Sequence, residues 1–407
     1  MSDGHEIMRG VYQFDDAERR RRIAVRHALA PAFRVSGEPR GPAAVADRLV
    51  ALHSTDPATV YLSIVARTAQ PGPASSIETC LYERRDLIRM LAMRRTVFVV
   101  PAGIVPVVQA STTDRIAKDQ RARLIKLLTE ATAVADPDPW LADVEAAVLR
   151  LLAARGGTAS AAELSAAEPR LKTKLVMAAG KSYESTQTIT SRVLLILAAQ
   201  GKLVRGRPIG TWLSQQYRWV LAEHWLREEA DEIGEAAAQA ELARLWLAAF
   251  GPAPLADLKW WTGWTMTQAR RAAAGIGAVE VGLSGGAGVA LPDDLENTDD
   301  PGAWAALLPA LDPTIMGWSE RAWFLGPHAK TLFDVNGNAG PTVWVNGRVV
   351  GGWAQRADGE IAIRLLEDVG ADHMSLIEAE AERVGKWLDQ VRVIPRFRTP
   401  TERELTA

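Results

Sequence analysis

The sequence predicts an α+β protein, because helical patterns alternate with pairs of short strands up to residue 291 and strands predominate after it. With 407 residues, the chain is long enough for two to four domains. Its 47 basic and 49 acidic residues give a formal net charge of −2, so any binding of nucleic acid must use local basic patches. The single cysteine, Cys80, excludes a disulfide framework and a zinc site built from cysteines.

The first 135 residues have a mainly helical pattern. It is interrupted at residues 53–57 (HSTDP), because proline disfavours helix at the residue before it. Such an element end can present side chains to a site. The predicted elements are helices over 16–32, 43–52 and 76–83, a strand over 96–100, and a helical connector over 101–135 in which residues 115–126 carry five bases against one acid.

Residues 140–220 give the clearest supersecondary pattern. A turn separates two helices, and Ser160 with Glu163 fits the capping box that begins the second of them. A third helix and a glycine-bounded strand pair follow. The predicted elements are helices over 144–154, 161–167 and 188–199 and a hairpin within 201–220. Helix–turn–helix, a third helix and then a hairpin is the order of a winged helix.

The same order recurs without a repeat in the sequence itself. It is found in helices over 239–250, 255–262 and 265–274 followed by two strands within 278–291, and less clearly within 18–100. We therefore predict three tandem winged-helix units. The first, with its helical connector, occupies residues 1–135, the second 136–235 and the third 236–291.

Residues 292–407 differ in character from the rest. Asn346-Gly347 and Asp358-Gly359 are type I′ turn signals between runs of apolar residues, so consecutive antiparallel strands are expected. We predict a small antiparallel β-barrel here, followed by a closing helix over 375–388.

Several classes of protein are excluded or disfavoured. The polar N-terminal segment lacks the apolar core of a secretory signal, and no run of 18 apolar residues occurs, so a cytoplasmic protein without a membrane span is expected. Common nucleotide-binding and metalloprotease motifs are missing, and the six histidines are scattered. We therefore expect no cofactor and no metal.

The basic residues are segregated along the chain. Residues 19–22 are four consecutive arginines, residues 83–95 hold five arginines against two acids, and the predicted wing over 201–218 holds four bases and no acid. This pattern suits contact with a phosphate backbone, although each run could instead be a solvated helix face. The strongest candidate is the wing, where the helix–turn–helix context supports contact with a duplex.

The one concentrated polar cluster is the segment from His53 to Asp56. A histidine, a hydroxyl and a carboxylate within four residues can position and deprotonate a water molecule. The alternative, which is the commoner arrangement for this spacing, is the end of one element followed by a Ser, Thr or Asp cap for the next helix.

Four longer blocks carry a family resemblance: LHSTDPATVYLS (52–63), LYERRDLIRMLAMRRTVFVVP (81–101), LPALDPTIMGW (308–318) and LFDVNGNAGPTVWVNGRVVGGW (332–353). In these blocks the chain resembles the winged-helix DNA glycosylases of the AlkZ/YcaQ type. The resemblance implies three winged helices around a positively charged concave surface, a C-terminal β-barrel, and hydrolysis of the N-glycosidic bond of N7-alkylguanine. The family carries Gln-x-Gln or Gln-x-Asp at the site, where this chain has His53 and Thr55. It is most similar to a His-x-Thr branch that clears bulky, intercalating natural-product adducts of the trioxacarcin or hedamycin kind.

The resemblance assigns roles to individual residues. His53 would act as base or water-positioner, Thr55 would hold the water, and Asp56 would orient His53 or face the developing positive charge. Phosphate contacts are expected from Arg94, Arg95, Lys202, Arg205 and Arg207. A C-terminal hairpin at Gln355 and Arg356 would reach the minor groove, with a solvated barrel turn as an equal alternative.

The expected partner is double-stranded DNA carrying alkylated guanine, bound by a monomer that acts as a monofunctional glycosylase in repair or self-resistance. Two other functions remain open. A winged-helix transcription regulator would prefer one sequence and cleave no bond. A degenerate member of the family would bind adducts without releasing a base.

Overall fold

The computed structural model describes residues 12–37, 40–177, 184–226 and 232–407. The chain starts with strand β1 (Gln13–Phe14) and helix α1 (Asp16–Arg26), whose first turn is capped because Asp15 Oδ1 accepts a hydrogen bond from the Glu18 amide at 2.7 Å. Helix α1 is shorter than predicted, since a separate 3₁₀ turn forms at Pro31–Phe33.

The four consecutive arginines of α1 do not form one solvated face. Arg22 is buried in ion pairs with Glu18 at 2.7 Å and Asp294 at 2.8 Å, and the Arg19 guanidinium lies 3.8 Å from the Trp323 ring centroid. At least these two side chains therefore hold α1 against the rest of the fold.

The next segment contains the predicted HSTDP interruption. Its elements are α2 (Gly41–Leu49), β2 (Leu52–His53), α3 (Pro57–Arg67), α4 (Ala74–Glu78) extended by a π turn at Thr79–Glu83, β3 (Leu87–Ala92) and β4 (Thr96–Pro101). The connector is helical, as predicted, with α5 (Val105–Val108) and the longer α6 (Asp114–Glu130).

The second segment follows the predicted order of helices and hairpin, but it adds a strand pair between the second and third helices that was not predicted. Its elements are α7 (Pro137–Ala154), β5 (Thr158–Ser160), α8 (Ala161–Ala167), β6 (Lys174–Met177), β7 (Ser185–Thr188), α9 (Thr190–Ala199), β8 (Leu203–Pro208), β9 (Tyr217–Leu221) and α10 (Ala222–Trp225). The predicted capping box is confirmed, because Ser160 and Glu163 exchange side-chain to backbone hydrogen bonds at the start of α8.

The third segment is shorter. Its elements are α11 (Glu235–Phe250), α12 (Leu255–Thr262), α13 (Met266–Gly275), β10 (Val279–Leu283) and β11 (Gly286–Ala290). Strand β1 adds to the edge of this hairpin in parallel to β10, while the other strand pairs of the described sheets are antiparallel.

Two of the three segments share one sheet order, and the third resembles it through a single bridge. In the first, β4 lies between β2 and β3, and in the second, β9 lies between β5 and β8. In the third, β11 pairs with β10 and also forms an isolated bridge with Ala253, which follows α11. In each case the backbone just after one helix, which is α2, α7 or α11, pairs with the last strand of the hairpin. The recurrence is therefore one of topology as well as of element order.

The C-terminal part holds one four-stranded sheet in the order β12-β13-β14-β15. The elements are β12 (Ala305–Leu308), α14 (Ala322–Leu325), α15 (Ala329–Leu332), β13 (Thr342–Val345), β14 (Arg348–Gln355), β15 (Ile361–Leu365), α16 (Gly370–Leu388) and α17 (Pro400–Leu405). Both predicted turns join neighbouring strands, at Asn346-Gly347 and near Asp358-Gly359. The predicted closing helix is longer than expected and is followed by α17.

The predicted β-barrel is wrong, because no sheet of the described residues closes on itself and β12 and β15 are free edges. Alternate residues explain why. Ala305 and Leu307 pack with Ile377 of α16, whereas Ala306 and Leu308 pack into the large central core. Both faces of the sheet are therefore covered by other elements, which removes the need for an enclosed interior.

The central core is rich in tryptophan. Trp246, Trp304, Trp318 and Trp344 are among its largest fully buried side chains. Trp246 lies on α11 and Trp344 on β13, while Trp304 directly precedes β12 and Trp318 lies between β12 and α14. Of the described helices, none is both long enough and apolar enough to span a bilayer.

A buried ion pair ties three parts of the chain together. Arg67, at the end of α3, forms a bidentate pair with Asp312 at 2.6 and 2.8 Å, and both side chains are fully buried. Ser63 donates to Asp312 at 2.7 Å, and Thr314 accepts from Arg67 at 2.8 Å. His27 completes the network through Thr314 Oγ1 at 2.8 Å and the Ala249 carbonyl of α11 at 3.0 Å.

Removing one partner of this pair is expected to destabilise the fold strongly. Asp312→Asn leaves the Arg67 charge buried and poorly compensated, so the free energy of unfolding should fall by about 3–5 kcal/mol, measured by urea denaturation. The double variant Arg67→Met/Asp312→Leu should lose clearly less. Arg244→Met breaks the more exposed pair with Glu241 and should change stability by less than about 1 kcal/mol. Equal losses in the Asp312 and Arg244 variants would contradict the assignment.

Candidate active site

The HSTDP segment runs from a strand into a helix. His53 ends β2 and pairs with Phe98 of β4, and α3 begins at Pro57. The Ser54 amide donates to the Val97 carbonyl at 2.8 Å, which continues the pairing one residue further. The turn that carries Thr55 is thus fixed on one side by a sheet and on the other by a helix start.

His53 is buried, with 5% of its surface exposed, and its ring lies 5.0 Å from that of Phe98. Its Nδ1 atom is shielded from solvent and has no hydrogen-bond partner within the described structure. Burial, followed by the nearby charge of Arg94, lowers the pKa of His53 to about 3. The imidazole is therefore neutral at physiological pH and offers a lone pair that no protein group uses.

Thr55 presents a second unsatisfied atom. Its Oγ1 is buried without a partner in the described residues, while its carbonyl accepts from Arg396 Nη1 at 3.2 Å. Thr55 and His53 line the same cavity of about 270 Å³, together with Asn338 and Phe397. Buried polar atoms normally have partners, so two unsatisfied atoms beside one cavity indicate a place for water or a polar ligand.

Asp56 has the capping geometry that was the alternative interpretation of this segment. Its Oδ1 accepts from the Ala58 amide at 3.1 Å and its Oδ2 from the Arg396 amide at 2.8 Å. Burial raises the pKa of this carboxyl group. Asp56 thus starts α3 and ties it to Arg396, and no hydrogen bond to His53 is formed among the described residues. Its predicted catalytic role stays a prediction.

A larger cleft of about 890 Å³ opens on the other side of Thr55. Thr55, Arg95 and Val97 line both spaces. The cleft draws on the turn after β2, helices α6 and α9, strands β8 and β9, and Arg396. Its lining within the described chain holds no acidic side chain and five arginines: Arg95, Arg123, Arg192, Arg205 and Arg396.

The predicted DNA-contacting residues fall into two groups. Arg95 and Arg205 line the cleft. Arg94 lines the smaller cavity and lies 3.8 Å from the Trp260 ring centroid, where burial and then Arg321 lower its pKa to about 10. Lys202 and Arg207 line neither space. Arg207 instead pairs with Glu83 at 3.2 Å.

The turn between β3 and β4 is strained. Arg94 and Arg95 both adopt left-handed backbone conformations, with φ of 54° and 59°. Such values are unfavourable for residues other than glycine and concentrate at functional sites. Both side chains line the cavity that holds His53.

Gln355 and Arg356 lie away from both spaces. The Gln355 amide is buried and engaged at both ends, donating to the Val391 carbonyl at 3.0 Å and accepting from the Val393 amide at 2.9 Å. Arg356 pairs with Glu360 at 2.5 Å. DNA contact by these two residues stays a prediction. The loop that reaches the smaller cavity is instead the one bearing Asn338, in which Val335 is fully exposed.

Sequence reasoning missed three arginines of the cleft. Arg123 belongs to the basic stretch 115–126, whose pattern predicts a helical connector and does not by itself indicate a cleft. Arg396 lies in VRVIPRFR (391–398), where three arginines without an acid were a usable signal. Arg192 stands alone in an apolar helix, and nothing in its local sequence marks it.

The candidate site is thus a basic cleft beside a buried neutral histidine, on an α+β scaffold. Residues 46–387 match a family model described as DNA glycosylase AlkZ-like, so the chain belongs to the AlkZ-like family of DNA glycosylases. Among solved structures, the Streptomyces sahachiroi DNA glycosylase AlkZ is similar in fold, with 20% sequence identity and a TM-score of 0.72 over 94% of this chain and 98% of that one. None of the curated proteins matches the sequence. Family membership supports a glycosylase acting on DNA.

The buried histidines predict a loss of stability in acid. Burial lowers the pKa of both His27 and His53 to about 3. Between pH 6.5 and 3 the unfolded chain therefore binds more protons, and the free energy of unfolding falls as the pH falls. From pH 7 to 5 each histidine should contribute a loss of about 2 kcal/mol.

The measurement is urea denaturation at pH 7, 6 and 5. His53→Gln should remove about half of the combined acid-induced loss, whereas the exposed control His224→Gln should follow the wild type. A wild type whose stability is unchanged between pH 7 and 5 would contradict the burial of neutral histidines.

Proposed function

We propose that the protein is a monofunctional DNA glycosylase that hydrolyses the N-glycosidic bond of N7-alkylguanine, including bulky or intercalating natural-product adducts, in repair or genotoxin self-resistance. The observation that carries the proposal is a pair of atoms, His53 Nδ1 and Thr55 Oγ1, that lack partners among the described residues. They lie beside a cavity that adjoins a cleft whose described lining has five arginines and no acid. The cleft suits a phosphate backbone, and the two atoms suit a bound water.

The reaction needs little acid catalysis. Alkylation at N7 gives the guanine a positive charge, so the bond between C1′ and N9 breaks with its electron pair passing to the ring, which becomes neutral. The sugar acquires oxocarbenium character, and the oxygen of water bonds to C1′. Water loses one proton to solvent. The products are an abasic sugar, a neutral alkylated base and that proton.

His53 and Thr55 would orient the attacking water in this scheme. A neutral imidazole accepts a hydrogen bond from water without adding positive charge beside the cationic sugar. With its pKa lowered to about 3, His53 is a weak base, so it suits positioning better than storage of a proton. Neither cavity is lined by a lysine among the described residues, which favours water over an amine as the nucleophile.

We further propose that the segments within 1–135, 136–235 and 236–291 are winged helices and that residues 292–407 form a separate C-terminal domain. The shared order of helices supports this, as does the placement of the last strand between the other two in the first two segments, which a single bridge to Ala253 resembles in the third. Arg95 and Arg205 would contact phosphates within the cleft and Arg94 beside His53, with Lys202 and Arg207 at the periphery. The protein would act as a monomer.

The test is release of base from duplex DNA carrying either a methyl adduct or a bulky intercalated adduct at guanine N7. Abasic sites are revealed by alkaline cleavage. His53→Ala and Thr55→Val should each slow single-turnover release by about 10²-fold, because water loses one of its two positioning partners. His224→Ala is the matched histidine control and should release base at the wild-type rate.

The outcomes separate the three functions. Release that depends on His53 supports the glycosylase, and the faster adduct identifies the preferred substrate class. Tight binding of adducted DNA without release would favour an inactive adduct binder. Binding that depends on sequence and ignores the lesion would favour a transcription regulator.

The cleft arginines predict a specific salt dependence. Arg123 has no ion pair or hydrogen bond in the described residues and lines the cleft. Arg123→Gln should weaken duplex binding and reduce the slope of log K against log[salt] by about 0.9, as expected for one lost phosphate contact. Fluorescence anisotropy over a salt series measures this slope. Arg244→Gln, at a distant paired arginine, should leave the slope unchanged; a wild-type slope in Arg123→Gln would exclude the contact.

A further inference from the structure

Arg89 is a buried arginine that has no carboxylate partner in the described parts of the chain. It lies on β3 with 4% of its surface exposed, and it forms no ion pair within the described residues. Its Nε donates to Ser54 Oγ at 2.9 Å and its Nη1 to the Tyr82 hydroxyl at 3.0 Å. The guanidinium carbon also lies 4.7 Å from the Tyr217 ring centroid. Neutral hydroxyls thus bind two of its three nitrogen atoms but leave its charge uncompensated.

A second arginine without a counter-ion lies near the first. Arg205 of β8 lines the cleft, and its guanidinium carbon is 5.2 Å from the Trp219 ring centroid. No ion pair or hydrogen bond of Arg205 is found in the part of the chain that the structure describes. Burial, followed by the charge of Arg89, lowers the pKa of Arg205 to about 10, so both side chains are cationic at neutral pH.

A buried cation beside a half-buried one, with no acidic partner for either among the described residues, is unfavourable unless an anion joins them. A phosphodiester matches this position well. A guanidinium binds it through two parallel hydrogen bonds, and a partly desolvated cleft strengthens the attraction. The site also adjoins the turn that carries Thr55, because Ser54, Thr55 and Arg205 line the same cleft.

We propose that Arg205 binds one particular DNA phosphate at the base of the cleft, and that Arg89 supports this site with its charge while holding Ser54, and with it the turn bearing His53 and Thr55. One phosphate thereby sets the register of the damaged strand against the two residues. The proposal rests on the proposed function only in taking DNA as the ligand. Arg89 is a positioning residue here, since its Nε and Nη1 atoms donate to protein groups.

The experiment replaces one phosphate at a time by an uncharged methylphosphonate along an adducted duplex, and measures binding by fluorescence anisotropy. In the wild type, one position should weaken binding about tenfold more than its neighbours, as expected for a charged hydrogen bond. Arg205→Gln should bind more weakly overall and show no such position. Arg244→Gln, the distant control, should keep it.

Two Arg89 variants separate charge from packing. Arg89→Lys keeps the charge and should preserve the loss of affinity at the one sensitive phosphate position. Arg89→Met should reduce that loss of affinity to about threefold or less. A merely structural Arg89 would lower stability in both variants and leave the position-specific loss unchanged. Thermal denaturation of each variant checks that it is folded.

The outcomes distinguish this site from the proposed function. A position-specific loss in a wild type that releases no base would support the phosphate site and reject the glycosylase. Base release together with an equal loss of affinity at every phosphate position would support the glycosylase and reject the phosphate site. An unchanged specific position in Arg205→Gln, or a wild type that binds no duplex, would overturn the phosphate site.

Discussion

The buried pair of Arg67 and Asp312 is the constraint on which the arrangement of the site depends. Helix α3 begins directly after Asp56 and ends at Arg67, so the pair holds the far end of the helix that starts at the candidate site. A second contact, from Thr59 Oγ1 to the Ala310 carbonyl at 2.7 Å, holds its near end to the same segment. Charges without water tolerate little displacement, and the helix therefore has one position relative to the C-terminal sheet and α11.

Charges are compensated differently around Arg67 and in the arginine cleft. Around Arg67 every charge has its counter-charge within the protein, and the result is a rigid scaffold. In the cleft, Arg95, Arg123 and Arg205 have no ion-pair partner in the described residues, so their compensation must come from outside. His53 lies between these regions and stays neutral. The cleft arginines can thus bind the phosphate backbone, while the neutral His53 adds no positive charge beside the reacting sugar.

The features that were predicted correctly from the sequence are those that neighbouring residues determine. The capping box of Ser160 and Glu163, the turn at Asn346-Gly347 and the bounds of α8 and α12 follow from residues adjacent in the chain. The prediction of a barrel is wrong because closure of a sheet depends on which other elements cover its two faces, and the local sequence does not show this. The two interpretations of the HSTDP segment could not be separated for a similar reason: Asp56 has its second partner 340 residues away, at Arg396. The cleft likewise joins arginines from distant segments, which periodicity within a segment cannot reveal.

The contact between Asp56 and Arg396 also bears on how the molecule is made. Arg396 leaves the ribosome long after the HSTDP segment, although its amide and guanidinium hold Asp56 and the Thr55 carbonyl. A growing chain can form the first helices and hairpins early, yet the turn beside His53 lacks these two restraints until residue 396 has emerged. Both restraints on this turn therefore form only after the strands and helices that surround it have been synthesised.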